Sequence, residues 1–202
     1  MSFAELWDWR RRVAALYAAV RAAEPEVGWR LWRGGRDALF REHPQTPLER
    51  PASFKALPLF DYDPGLRYLV GLVPVEGAAA ERFEAGADGE LRMVPFARTD
   101  GLLPALGGEL TLYWLLGYGG GVFLPFADAT SGRETYGAGR YLLDTIKGAD
   151  PGTDADGRTV LDFNFAYNPS CAYSPRWICP LAPRCNRLPR PVRAGEKTPQ
   201  LA

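Results

Sequence analysis

The sequence predicts an α+β fold, with two N-terminal helices packed on a mainly antiparallel β-meander that closes as a barrel or a sandwich. Three observations carry this expectation. Residues 1–45 repeat their apolar side chains at helical spacing. From Pro58 onward, short runs of β-branched and aromatic residues recur. Glycine-bearing turns separate those runs closely enough for successive strands to pair antiparallel.

The first helix is expected over residues 3–23. Leu6, Trp9, Val13, Leu16, Tyr17 and Val20 fall three or four apart and make one buried stripe. Ser2 suits the N-cap and Pro25 stops the helix. A second helix is expected over residues 26–42, with Trp29, Trp32, Leu39 and Phe40 on its apolar side. Gly34-Gly35 weakens its middle, and His43-Pro44 ends it, because a residue before proline is pushed out of the helical region. Strands are expected over residues 66–75, 91–96, 109–116, 122–126, 139–144 and 160–165. Turns fall at Asp88-Gly89, Gly107-Gly108, 117–121 and Asp156-Gly157. With no internal repeat, residues 1–202 read as one domain. Its parts are a helical 1–45, a β-rich 58–189 and a tail, 190–202, expected on the surface.

Composition narrows the function classes. Hydrophobic residues make up 47% and charged residues 24%, enough for a core without covalent staples. The 24 basic and 24 acidic side chains cancel, and the arginines are scattered, so no nucleic-acid partner is expected. Residues 1–12 are charged and lack the apolar centre of a signal peptide. No stretch reaches the roughly 18 apolar residues of a membrane span. The expectation is a soluble, cytoplasmic protein with no membrane partner, whose three cysteines are thiols rather than structural bridges.

Several motifs fail on their context. Residues 117–121 resemble a phosphate loop but lead into a strand, not a helix, so they read as a hairpin turn. Asp154-Ala155-Asp156-Gly157 resembles part of a calcium loop, but Gly152 and Phe163 occupy the positions of its other acidic ligands. Cys171, Cys179 and Cys185 have nearly the spacing of a three-cysteine, one-histidine zinc finger, but Pro189 stands where the histidine belongs. No cofactor is predicted. His43 is the single histidine, and a metal held by Cys171 and Cys179 with His43 or Asp162 remains a minor alternative. So do a Cys171–Cys179 bridge under oxidising conditions and a nucleophilic Cys171 with His43 as its base.

The candidate chemistry gathers in two clusters. Residues 126–141 bring together Asp128, Thr130, Glu134, Tyr136 and Arg140, with glycines between them. Residues 161–171 alternate as a strand, Leu161, Phe163 and Phe165 facing one way, Asp162 and Asn164 the other. If both faces are covered, Asp162 and Asn164 need partners, which Arg140, Thr130 or Tyr136 could supply. One reading is a pocket for a small polar or anionic molecule. Arg140 would hold it, with Asp128, Thr130, Asn164, Tyr167 and Asn168 in contact, and Glu134, Asp162 and Tyr136 as acid–base groups. The other is a non-enzymatic interaction domain in which the same residues form a structural hydrogen-bond network.

These residues carry a resemblance. The runs LPFADATSGRETYGAGRYL (124–142), VLDFNFAYNPSCAYSP (160–175) and CPLAPRCNRLPRPVRAGE (179–196), with WRLWRGGRDALFREHPQTPL (29–48), resemble the bacterial and archaeal family called domain of unknown function 1684. The family pattern falls on Asp128, Thr130, Glu134, Thr135, Tyr136, Gly139, Arg140, Asp162, Asn164, Tyr167, Asn168, Cys171, Cys179 and Asn186. Cys185 stands where the family pattern leads one to expect a glutamate, so the three-cysteine spacing is local to this chain. The resemblance implies one domain of about this length and no established activity, cofactor or substrate.

Overall fold

The computed structural model describes residues 2–84 and 89–200 of the chain. Helices α1 (Phe3–Arg21) and α2 (Pro25–Glu42) form the expected hairpin. Pro25 does not stop α1. It opens α2, at a position where a backbone N–H would have had no helical partner. The Gly34-Gly35 pair does not break α2, and Gly35 lies where the helices meet: a Cβ there would stand 2.8 Å from the Leu16 side chain. Tyr17, Val20, Trp29 and Trp32 form a core with Ala149 and Phe165, and the Trp32 indole N–H donates to the Tyr17 hydroxyl at 3.1 Å.

Among the described residues seven strands follow: β1 (Arg67–Pro74), β2 (Glu81–Glu84), β3 (Glu90–Asp100), β4 (Thr111–Leu115), β5 (Gly121–Phe126), β6 (Arg140–Asp144) and β7 (Thr159–Asp162), with the one-turn helix α3 (Leu103–Leu106) between β3 and β4. They make one antiparallel sheet in the order β6-β5-β4-β3-β1-β7, with β2 beside the first half of β3. The β2 strand, Glu-Arg-Phe-Glu, lacks the apolar alternation that makes a strand legible. The Asp88-Gly89 turn lies partly outside the described residues. Tyr141 of β6 and Tyr167, five residues beyond β7, exchange backbone hydrogen bonds of 2.8 and 3.0 Å. This bridge makes the sheet nearly barrel-shaped. The ladder is irregular at Pro95 and at Pro125, residues that cannot donate to it. At Pro125 the gap is covered by Asn186, whose amide donates to the Thr111 and Pro125 carbonyls at 2.8 Å each and accepts from the Thr111 N–H at 2.7 Å.

Two further expectations are corrected. Residues 160–165 are not one strand. The Asp162 carboxylate accepts the Asn164 N–H at 3.0 Å and turns the chain into a 3-10 helix over Phe163–Phe165. Phe163 therefore enters the barrel core, with Leu112, Leu124 and Leu142, while Phe165 joins the helical core. The tail is not a surface tail either. Val192, Ala194, Gly195 and Glu196 are buried, and the segment is tied to residues 58–60 and to Ala166 by backbone hydrogen bonds. Alternate small apolar residues let it pass through the interior, and two arginines take up its polar groups.

Candidate functional site

The predicted site residues separate into distinct places. Arg140, first residue of β6, is 1% exposed and lies over the Phe126 ring. Its guanidinium donates to the Asp128 carboxylate at 3.0 Å, to the Val192 carbonyl at 2.9 Å, to the Glu196 carbonyl at 3.2 Å and to the Ala194 carbonyl. Asp128 accepts in turn from the Thr130 N–H and hydroxyl, at 2.8 and 2.7 Å, and from the Val192 N–H at 3.1 Å. Because Thr130 gives its proton to Asp128, the Thr135 hydroxyl, 2.8 Å away, donates to Thr130. The bonds of Arg140, expected to hold a ligand, thus go to Asp128 and to this chain's own strap, residues 192–196.

A second buried ion pair adjoins the first and was not singled out from the sequence. The Glu196 carboxylate, with no exposed surface, accepts from Arg36 at 2.8 and 2.6 Å, from the Tyr173 hydroxyl at 2.7 Å and from the Asn168 N–H at 2.7 Å. Arg36 lies over the rings of Trp32, Phe40 and Tyr167, which surround a cation with the negative faces of aromatic rings. One signal existed: Arg36 interrupts the apolar stripe Trp29, Trp32, Leu39, Phe40 at helical spacing. Asn168 also donates to the Lys197 carbonyl at 2.8 Å, and Tyr167 packs edge-on against Tyr141.

Glu134 stands at the surface in a double contact with Arg193 at 2.9 and 3.1 Å, which holds its carboxyl below the ordinary range. Tyr136 hydrogen-bonds to the Cys171 sulfur at 3.7 Å, and burial pushes its phenol up to about 12. His43 caps α2, 3.3 Å from Asp8, with its other ring nitrogen accepting the Gln45 N–H. Among the described residues no three or more His, Cys, Asp or Glu side chains are grouped to hold a metal.

Asp162 differs from the others. The β1–β7 register sets it opposite Arg67, and their nearest charged atoms are 3.9 Å apart. One carboxylate oxygen accepts the Asn164 N–H and amide, at 3.0 and 2.8 Å. Asn164 is locked by two bonds to the Asp63 backbone, at 2.9 and 2.8 Å, rather than by Arg140, Thr130 or Tyr136. The second Asp162 oxygen faces Arg67. Burial raises the Asp162 pKa to about 6, against the pull of Asn164 and Arg67. Asp162 also lines a cleft of about 140 Å³ with Val20, Arg21, Arg67, Thr153 and Asp154, where the α1–α2 turn meets the sheet.

Fold and sites together define an α+β protein, a nearly closed antiparallel barrel carrying a helical hairpin and pinned internally by two arginine–carboxylate pairs. Residues 52–197 match the family model described as a protein of unknown function, DUF1684, and the chain belongs to that family. It is also similar to an uncharacterized protein of Haloarcula marismortui solved by solution NMR. The two are 33% identical over 86% of this chain and 94% of that one, with a TM-score of 0.59. No curated protein matches. No helix of the described residues is long and apolar enough to cross a membrane.

Proposed function

We propose that this protein binds a small polar or anionic molecule in the cleft beside Asp162, with Asp162 as the proton acceptor. The observation that carries the reading is the Asp162 carboxyl itself. Asn164 fixes one oxygen, Arg67 is the cation facing the other, and the group ionises near neutral pH inside a cleft. Arg67 takes the anion-holding role expected of Arg140. Its guanidinium is partly exposed and makes no close bond to Asp162, so its donors are open to an incoming carboxylate. The size of the cleft suits a molecule as small as a hydroxy acid or an amino acid.

Amide NMR spectra of the full chain, recorded during separate additions of acetate, glycine, lactate and glycerol, test this. Saturable shifts at Arg67, Thr153 and Asp162 are expected with a carboxylate-bearing compound. Arg67→Ala should weaken them about tenfold or more, the scale of one charged contact. Shifts that are absent with all four compounds, or unchanged in Arg67→Ala, overturn the reading.

A second reading is a non-enzymatic interaction domain. It is favoured by the Asp128–Arg140 network, whose groups are paired within the chain. The partner surface would then include exposed aromatics such as Trp7, 63% exposed.

A further inference from the structure

We infer that Cys179 and Cys171 form a reactive dithiol, in which Cys179 attacks hydrogen peroxide and Cys171 resolves the product to a disulfide. The two residues meet although eight positions separate them. The Cys171 N–H donates to the Cys179 sulfur at 3.4 Å, within reach for a sulfur acceptor. Cys171 rides on the 3-10 turn Ser170–Ala172, and the Tyr136 hydroxyl reaches its sulfur at 3.7 Å. Cys179 lies in an irregular segment located by its neighbour Pro180, whose carbonyl accepts the Tyr141 hydroxyl at 2.6 Å. Both thiols are free and partly exposed, so a small oxidant reaches them. Cys185 is exposed, lies against the Tyr113 hydroxyl and belongs to a different place.

The surroundings divide the labour between the two thiols. Contact with Cys171, the N–H groups of Cys171 and Ser170, and the Lys147 charge pull Cys179 down to about 6, with burial opposing. Contact with Cys179 pushes Cys171 up, and burial adds to that. A thiolate is the nucleophile, and a protonated thiol is suited to wait as the resolving partner. In the first step the Cys179 thiolate attacks one peroxide oxygen. The O–O bond breaks, a sulfenic acid forms, and the departing hydroxide takes a proton to leave as water. In the second, the Cys171 sulfur attacks the sulfenic sulfur. The S–S bond forms, the S–O bond breaks, and the thiol proton leaves with the hydroxide as water. Two thiols give up two electrons and the peroxide accepts them. A rotation of the Cys171 side chain away from Tyr136 completes the approach, and a small dithiol would reduce the bridge back to two thiols, itself becoming a disulfide.

The thiolate excess of Cys179 at pH 7 is partly offset by its lower intrinsic nucleophilicity. Cys179 should therefore outpace an ordinary thiol toward an alkylating probe by only about two- to threefold. The decisive test is where the bond forms. The full chain is treated with hydrogen peroxide, alkylated under denaturing conditions and mapped by mass spectrometry. A Cys171–Cys179 bridge with Cys185 alkylated is expected from the unaltered protein. In Cys171→Ser a sulfenic acid trapped by dimedone should accumulate at Cys179. In Cys179→Ser, Cys171 should stay reduced over the same time. A bridge that includes Cys185, no bridge at all, or oxidation of Cys171 at an unchanged rate in Cys179→Ser overturns the proposal.

Discussion

At the scale of single residues, Arg140 and Asp162 show how the same kinds of side chain diverge. Arg140 makes four hydrogen bonds within the chain, three of them to backbone carbonyls of residues 192–196. Replacing it leaves the Asp128 carboxylate buried without its cation. Arg140→Ala is therefore expected to lose about 3–5 kcal/mol in denaturant unfolding. An unchanged midpoint would mean that the strap is held by something else. Asp162 carries the opposite sign. Its folded pKa of about 6 lies above the roughly 3.9 of an unfolded aspartate, so the unfolded chain releases the proton first as pH rises. The stabilising contribution is full below about pH 4 and is lost as pH rises to about 6. Asp162→Asn keeps an oxygen for Asn164 and cannot ionise. Thermal melts should show it matching the native protein near pH 4 and exceeding it at pH 7, by at most about 2–3 kcal/mol. A native protein that gains on the variant across that window would show that Arg67 outweighs burial.

At the scale of elements, the strap near the end of the described chain decides most. Residues 192–196 accept from Arg140 on one side and Arg36 on the other, so α2 and β6 are joined through a stretch with no regular structure. Gly195 is where this strap is tightest. Its φ is +72°, and an added Cβ would lie 2.4 Å from the Ala166 carbonyl oxygen. Backbone cannot step aside as a flexible side chain can. Gly195→Ala should therefore cost more than the about 1–2 kcal/mol of a left-handed conformation alone, measured by urea unfolding. A smaller loss would show that the strap shifts as a unit. The sequence made α1 and α2 plain through their apolar period, and most strands through their turns. It did not reveal the strap, because Pro-Val-Arg-Ala-Gly-Glu has the composition of a loop, and burial depends on what surrounds it.

At the scale of the whole molecule, the barrel closes through the Tyr141–Tyr167 bridge rather than through a full strand pair. That bridge joins the sheet to the aromatic cage around Arg36, since Tyr167 belongs to both. If closure is part of the cooperative core, the Tyr141 and Tyr167 amides should exchange hydrogen as slowly as the amides of β4 and β5. Exchange at the rate of the residue 117–121 turn would show an open sheet instead. The cleft at Asp162 lies where the helical hairpin meets the sheet edge, so its shape is set by how two layers pack.

The sequence by itself determined the layers of this protein and the residues worth asking about. Periodicity and turn chemistry are local, and they distinguish a helix from a strand without knowledge of neighbours. It also singled out Asp128, Arg140, Asp162 and Asn164 as the polar groups of interest, and all four are buried. Which partner each one takes was decided only by the tertiary structure. Arg140 turned to the strap, Asn164 to the Asp63 backbone, and Cys171 to Cys179. Hydrogen bonds and pKa shifts depend on distances of a few ångströms between residues far apart in the chain, and those distances exist only once the barrel has closed around its own C-terminal segment.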